Sequence, residues 1–335
     1  MNSYTNILTD SHNRKLTYLR ISLTELCNLR CNYCMPAEGV QLSPKSHIMN
    51  FDEIFAIAKT FVDNGVTKIR LTGGEPLIRK DIEHIIRKLS ALPVELSITT
   101  NAVIVDNYID VLKSCNIHSV NVSLDSLKPE RFNTITRRNH FAQVYDNILL
   151  LIKEGFKVKL NAVIIKGFND DEIIDFVQLT KTLPISIRFI EFMPFDGNEW
   201  DKSKMMSHSE AIDIINANYD QKHVIKLQDT KNDTSKNYKI EGFQGSFGLI
   251  SSITNPFCDS CNRIRLTANG HIKNCLFSST ESDLLTPLRA GKDITRIIQE
   301  TVKSKYRIRG GMDTLKKLES PDLHTRNRSM TAIGG

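Results

Sequence analysis

Six short runs rich in β-branched residues alternate with segments whose apolar residues recur at helical spacing, and this alternation constrains the fold most. The runs are Leu19–Leu23, Val66–Thr72, Val94–Thr100, Ser119–Leu124, Lys157–Ile165 and Ser186–Phe192. Parallel strands need long crossovers between them, so a strand–helix period predicts an α/β chain with a parallel sheet. Six strands fall two short of a closed eight-stranded barrel, and the predicted shape is a partial, TIM-like (β/α)6 barrel with one open side. The helix after Asn50 has the clearest boundaries. Asn50 is the N-cap, Glu53 completes a capping box, Ile54, Ile57, Ala58, Phe61 and Val62 form one stripe, and Gly65 ends it.

After about residue 195 the pattern changes to a helix near Ser207–Tyr219 and then to hairpin-like strands. In RIRLTANGHIKNCLF the pair Asn269-Gly270 is a strong tight-turn signal. We therefore expect a barrel over residues 1–195 and a C-terminal α+β extension over 196–335 that covers the open side.

The length of 335 residues and a hydrophobic content of 40% suffice for a large core. The N-terminal stretch lacks the apolar segment of a signal peptide, and no window holds about 18 uninterrupted apolar residues, which predicts a cytoplasmic protein with no membrane association. Net charge is +6, from 44 basic and 38 acidic residues, and permits an anionic partner without demanding one.

Seven cysteines are present, and six of them form two triplets, Cys27/Cys31/Cys34 and Cys258/Cys261/Cys275. In a reducing compartment such clusters read as metal ligands rather than disulfides. A closed zinc site wants four protein ligands, and a four-cysteine [4Fe–4S] cluster is likewise saturated. Three cysteines leave one iron open to an exogenous ligand. The rival for the first triplet is a zinc knuckle completed by a distant histidine. The rival for the second is sharper, since His271 would complete a Cys3His zinc site within its hairpin. Arg263 and Arg265 alternate on the strand beside that triplet and so share a face, where they suit an anion. Arg20, Lys68, Arg70 and Lys159 also fall on predicted strands, and unpaired cations inside a barrel would be costly without a polyanion to meet them.

The C-x3-C-x2-C triplet after the first strand, followed one strand later by Gly73-Gly74-Glu75-Pro76, resembles the radical S-adenosylmethionine enzymes. YCMP, KIRLTGGEPL, ITTN, NVSLDS, IRFIEFMP, FCDSCNRIRLTANG, CLF and a terminal IGG narrow the resemblance to the GTP 3′,8-cyclase family of molybdenum cofactor biosynthesis, over nearly the whole chain. This resemblance implies a lyase with two [4Fe–4S] clusters and S-adenosylmethionine. Cys27, Cys31 and Cys34 would ligate the first cluster and Cys258, Cys261 and Cys275 the second, whose open iron would bind guanine. Tyr33, Gly74, Ser123 and Met193 match S-adenosylmethionine contacts, and Arg20, Lys68, Arg70, Thr99, Lys159, Arg263 and Arg265 match GTP contacts. Arg263, Arg265 and the tail glycines Gly334 and Gly335 would be catalytic. The implied reaction takes the hydrogen from ribose C3′ and joins that carbon to C8 of guanine.

The implied partners are GTP, an electron donor protein, the cyclic pyranopterin monophosphate synthase that would take the product, and a second copy of the chain as a homodimer; polynucleotide is not expected. One position departs from the family pattern: Ala102 stands where glycine is common, which bears on the turn after Thr99-Thr100-Asn101. Two other readings would explain parts of the sequence: a peptide-modifying radical S-adenosylmethionine enzyme with an auxiliary cluster, or a non-enzymatic zinc-binding nucleic-acid protein. Cys115 lacks a metal-spaced neighbour and reads as a buried apolar residue at a helix end.

Overall fold

A computed structural model describes residues 6–36, 38–320, 323 and 328–334. Its first six strands are β1 (Tyr18–Ser22), β2 (Lys68–Thr72), β3 (Glu95–Thr100), β4 (Ser119–Ser123), β5 (Lys157–Ile164) and β6 (Ser186–Glu191), each within two residues of its sequence prediction. They pair in chain order, all parallel. The crossovers carry α1 (Phe51–Asp63), α2 (Ile82–Ser90), α3 (Ile109–Ser114), the pair α4 (Pro129–Thr136) and α5 (Phe141–Lys153), and α6 (Ile173–Leu179). The α1 capping box forms as read, with Asn50 Oδ1 accepting from the Glu53 N–H at 2.9 Å and the Glu53 carboxylate accepting from the Asn50 N–H at 2.8 Å.

The C-terminal part contributes α7 (His208–Asn218) and strands β7 (Val224–Lys226), β8 (Lys236–Ile240), β9 (Ser246–Ile250), β10 (Arg263–Leu266), β11 (His271–Lys273) and β12 (Ser282–Asp283). These strands join the same sheet at both edges rather than forming a separate one. β9 pairs parallel to β6 and β10 parallel to β1, giving the order β12-β11-β10-β1-β2-β3-β4-β5-β6-β9-β8-β7. The β10–β11 hairpin turns at Asn269-Gly270, where Gly270 has φ +75°.

The strand period of two separates an apolar face from a polar one. Leu19, Ile21, Ile69, Leu71, Ile98, Val120, Val122, Leu160, Ile187, Phe189, Leu249, Ile264 and Leu266 are buried against the helices in one core. Each such side chain contributes roughly 1.5–3 kcal/mol through burial. The alternate positions are polar: Tyr18, Arg20 and Ser22 on β1, Arg70 and Thr72 on β2, Ser97 and Thr99 on β3, Asn121 and Ser123 on β4, Lys159 and Asn161 on β5, Arg188 on β6, and Arg263 and Arg265 on β10. Helices therefore stabilise the barrel from outside, while its interior is left chemically functional.

Ala102, buried in the turn after β3, has φ +60°, the left-handed region that explains why glycine suits the position. Its N–H donates to Thr100 Oγ1 at 3.0 Å and its carbonyl accepts from Asn147 Nδ2 at 2.8 Å, so the turn is held despite the methyl group. Ala102→Gly is expected to raise stability by up to about 1 kcal/mol, read as an upward shift of the unfolding midpoint.

Candidate active site

Two adjoining cavities occupy the barrel interior. The first is lined by the loop after β1 and by the C-terminal ends of β2 to β6, including Cys27, Cys31, Tyr33, Cys34, Gly74, Ser123, Asp125 and Met193. The second is lined by Arg20, Asn121, Arg188, Phe257, Cys258, Cys261, Arg263, Arg265, Asn274 and Cys275. Thr99, Asn161, Ile190, Met193 and Met330 line both, so the two form one reaction space.

The glycine turn fixes the first cysteine loop. Gly74 N–H donates to Thr24 O at 2.7 Å and Glu75 N–H to Leu26 O at 2.8 Å, and a Cβ at Gly74 would lie 2.2 Å from Leu26 O. Only glycine allows that approach. The buried Glu75 carboxylate accepts from Leu77 N, Thr100 Oγ1 and Asn101 N; burial outweighs these bonds and raises it to about 7. Asn101 in turn donates to Asn28 Oδ1 at 2.7 Å, beside Cys27. Tyr33 donates to Asp125 Oδ2 at 2.7 Å, and Asp125, raised by burial to about 6, accepts from Val163 N at 2.8 Å.

Burial pushes the Cys27 thiol up to about 11 and raises Cys31 and Cys34 well above the ordinary thiol range. These groups would be thiolates only beside a strong positive charge, as metal ligands are. In the second triplet, burial raises Cys258, whereas at Cys261 burial is outweighed by Lys305 and Arg263, which bring it down to about 7. Arg14 Nη1 donates to Cys258 O at 2.8 Å, the Arg309 N–H to Cys258 Sγ at 3.5 Å, and Lys305 Nζ to Arg263 O at 3.1 Å.

Among the described residues no three His, Cys, Asp or Glu side chains converge on a point where one ion could be held. His271 does not line the second cavity, and its Nδ1 lies 3.2 Å from Asn269 O in its own turn. Three thiols border each cavity, a donor set that suits a group with several metal atoms and one of them left open, as a [4Fe–4S] cluster has. Both triplets fit that group.

Cations crowd the rest of the interior. β-sheet register aligns Arg265, Arg20 and Arg70 in one row and Arg263, Tyr18 and Lys68 in the next. Burial lowers Arg70 to about 10 and Arg265 to about 9; it lowers Lys159 to about 8, with Arg188, Arg70 and Lys68 adding to the effect. Arg20 Nε, Arg188 Nε and Arg263 Nη1 are buried without a hydrogen-bond partner. Arg263 Nη2 donates to Asn232 O at 2.6 Å, and Arg265 Nη1 donates to the carbonyl of Gly334. That bond brings the tail, including the helical turn Met330–Ile333, into the barrel. Gly335 lies outside the described residues.

Of the sequence-predicted residues, Lys68, Arg70 and Lys159 do not line either cavity. Arg70 Nε donates to Ser97 Oγ at 3.2 Å, and Lys68 reaches the rim to pair with Glu95 at 2.6 Å. Arg188, Asn121, Asn161, Lys305, Arg309 and Arg14 were missed. Arg188 was legible as an arginine inside the apolar run SIRFI, Asn121 as the first residue of NVSLDS and Asn161 by its alternation with Lys159, whereas Lys305, Arg309 and Arg14 have no motif spacing and are brought in by the fold.

Residues 21–180 match the model of the Radical SAM superfamily, and residues 185–309 match that of Molybdenum Cofactor Synthesis C. The mitochondrial GTP 3′,8-cyclase of Arabidopsis thaliana is 46% identical over 340 residues, covering 100% of this chain and 85% of that protein. The GTP 3′,8-cyclase of Alkaliphilus oremlandii is 39% identical over 337 residues, covering 98% and 100%. Molybdenum cofactor biosynthesis protein 1 of Mus musculus is 44% identical, and the chain spans 51% of its length. A crystal structure of Streptococcus suis SuiB bound to S-adenosylmethionine superposes with a TM-score of 0.62 at 17% identity, over 96% of this chain and 78% of that one, a likeness of fold alone. Among the described residues no helix is long and apolar enough to cross a membrane. With two paired domain models in order and relatives of such identity along its full length, the chain belongs to the GTP 3′,8-cyclase family of radical S-adenosylmethionine enzymes.

Proposed function

We infer that the chain converts GTP to (8S)-3′,8-cyclo-7,8-dihydroguanosine 5′-triphosphate, the first step of molybdenum cofactor biosynthesis. One observation carries this reading: a three-cysteine cavity opens through shared walls into a second three-cysteine cavity lined by buried, incompletely hydrogen-bonded arginines. A polyanionic substrate would relieve the cost of those guanidiniums, and no neutral substrate would.

In this reading Cys27, Cys31 and Cys34 hold one [4Fe–4S] cluster and Tyr33, Gly74, Ser123 and Met193 border S-adenosylmethionine. When bound, that cluster supplies the electron that cleaves S-adenosylmethionine to methionine and a 5′-deoxyadenosyl radical. Cys258, Cys261 and Cys275 hold the second cluster at the guanine end of the nucleotide. Arg20, Thr99, Arg263 and Arg265, joined by Arg188, orient the nucleotide, while Lys68, Arg70 and Lys159 contribute charge from behind the lining. The C3′ hydrogen would pass to the 5′-deoxyadenosyl radical to give 5′-deoxyadenosine, C3′ would bond to C8, and the base would then take up one electron from the donor protein and one proton. An electron donor protein and an enzyme that consumes the cyclised nucleotide are the partners this chemistry calls for. We place the boundary between barrel and C-terminal region at 195/196, although both share one sheet.

The test is anaerobic incubation of reconstituted protein with S-adenosylmethionine, reductant and GTP, with metal, 5′-deoxyadenosine and cyclised nucleotide measured together. Both products and about eight irons per chain are expected. Deoxyadenosine without cyclised nucleotide would move the substrate elsewhere, and zinc with neither product would return the cysteines to a structural role.

The site also predicts a pH dependence. Lys159, held at about 8 by burial and its cationic neighbours, would be raised again by a polyanion bound in front of it in the cavity. Above that pH, binding must take up a proton, so GTP affinity is expected to fall as pH rises from about 8 to 9, by up to about tenfold for this group. Tyr18, whose burial is outweighed by Arg20, Arg70 and Lys68 so that it lies at about 8, acts in the same direction by becoming anionic. Equilibrium dialysis against GTP at stepped pH reads the effect.

A further inference from the structure

Tyr18 is the one aromatic residue among the polar inward positions of β1, β2 and β10, and no motif of the family resemblance assigned it a role. It opens β1 in register with Lys68 on β2 and Arg263 on β10, with Arg20 two residues further along its own strand. Four cations surround its ring: the guanidinium carbons of Arg20 and Arg70 at 5.7 Å from the centroid, Lys68 Nζ at 5.8 Å and the Arg263 carbon at 5.9 Å. The side chain is 8% exposed, and its hydroxyl is buried beside Arg20.

A tyrosine confined among four like charges is not explained by packing alone. Each cation would be repelled by the other three at this spacing, and their donors are only partly used: Lys68 pairs with Glu95, Arg70 bonds Ser97, and Arg20 Nε has no partner. The ring supplies the negative face that offsets the repulsion. We propose that Tyr18 is a positioning residue for the substrate's polyphosphate: its ring holds Arg20 and Arg263, which line the second cavity, in one preorganised cluster with Lys68 and Arg70 behind them. The inference rests on the triphosphate reading above and extends it by assigning the element that orders the phosphate-binding cations before substrate arrives. Arg188 and Arg265 also feel the tyrosine, as their lowered basicities are partly offset by its charge. Preorganisation of this kind contributes affinity by reducing the ordering that binding would otherwise require.

The test compares Tyr18→Phe, which keeps the ring, with Tyr18→Leu, which keeps apolar bulk but not the π face. Dissociation constants for GTP and for guanosine are measured anaerobically on reconstituted protein without S-adenosylmethionine, so no turnover occurs. GTP affinity is expected to fall in the order Tyr, Phe, Leu, reaching about a tenfold loss for Leu. Guanosine affinity should stay level across the three, which a merely misfolded variant would not allow. Equal GTP affinity for Leu and wild type, or a parallel loss for guanosine, would overturn the assignment. Wild-type protein binding GTP no better than guanosine would overturn the phosphate reading itself, and the cluster's role with it.

Discussion

Cys275→Ala is expected to abolish formation of the cyclised nucleotide while leaving S-adenosylmethionine cleavage in place. The reason is spatial. Cys275 follows β11 and lines only the second cavity, whereas Cys27, Cys31 and Cys34 line only the first. The variant should retain roughly half the iron of the wild type, corresponding to one four-iron group, and should produce 5′-deoxyadenosine uncoupled from GTP consumption. Iron content and the ratio of the two products decide the matter. Full cyclisation by Cys275→Ala would show that the second triplet does not serve the nucleotide, and loss of both products would show that the two sites are not separable.

Gly334→Ala should reduce cyclisation by about 10²-fold or more, with GTP affinity changed only a few-fold, because a small misplacement of a positioned group costs that much. Gly334 sits at φ +76°, and a Cβ there would lie 2.5 Å from Thr72 Oγ1 and 3.0 Å from Ser22 Cβ. Backbone strain and collision act together, so the tail must withdraw and Arg265 loses its carbonyl partner. The buried Arg265, already lowered to about 9 by burial and then by Arg20, would be left with fewer partners at the place where the nucleotide reacts. Single-turnover product formation measured beside GTP binding separates the two effects. Turnover at the wild-type rate would mean that the tail's approach to Arg265 has no catalytic consequence.

The barrel strands were legible because each combines β-branched residues with a bounded length, and α1 because its cap and stripe are both local signals. The Asn269-Gly270 hairpin was legible for the same reason. The joining of β9 and β10 to the barrel edges was not, since β10 meets β1 from some 240 residues away and its four-residue run carries no trace of that partner. Chemistry followed the same rule. The cysteine triplets and the glycine turn have fixed spacing and could be read directly, while Arg14, Lys305 and Arg309 support the second triplet from segments with no periodic signal. The sequence places Lys68 and Arg70 on one predicted strand but not the depth at which each ends. Lys68 leaves for Glu95 because that partner stands opposite it at the rim, a pairing set by register. Tyr18 was not singled out, since the first strand read from the sequence begins one residue later at Leu19, and only the cations around the ring make it informative.

The central claim is that a hydrogen on the ribose of GTP passes to a group generated in the neighbouring cavity. The most direct test uses GTP deuterated at C3′ and measures the mass of the 5′-deoxyadenosine released by the reconstituted wild-type protein. Gain of one deuterium, together with its loss from the cyclised nucleotide, is the predicted result. Unlabelled 5′-deoxyadenosine formed beside nucleotide that keeps its deuterium would contradict the account.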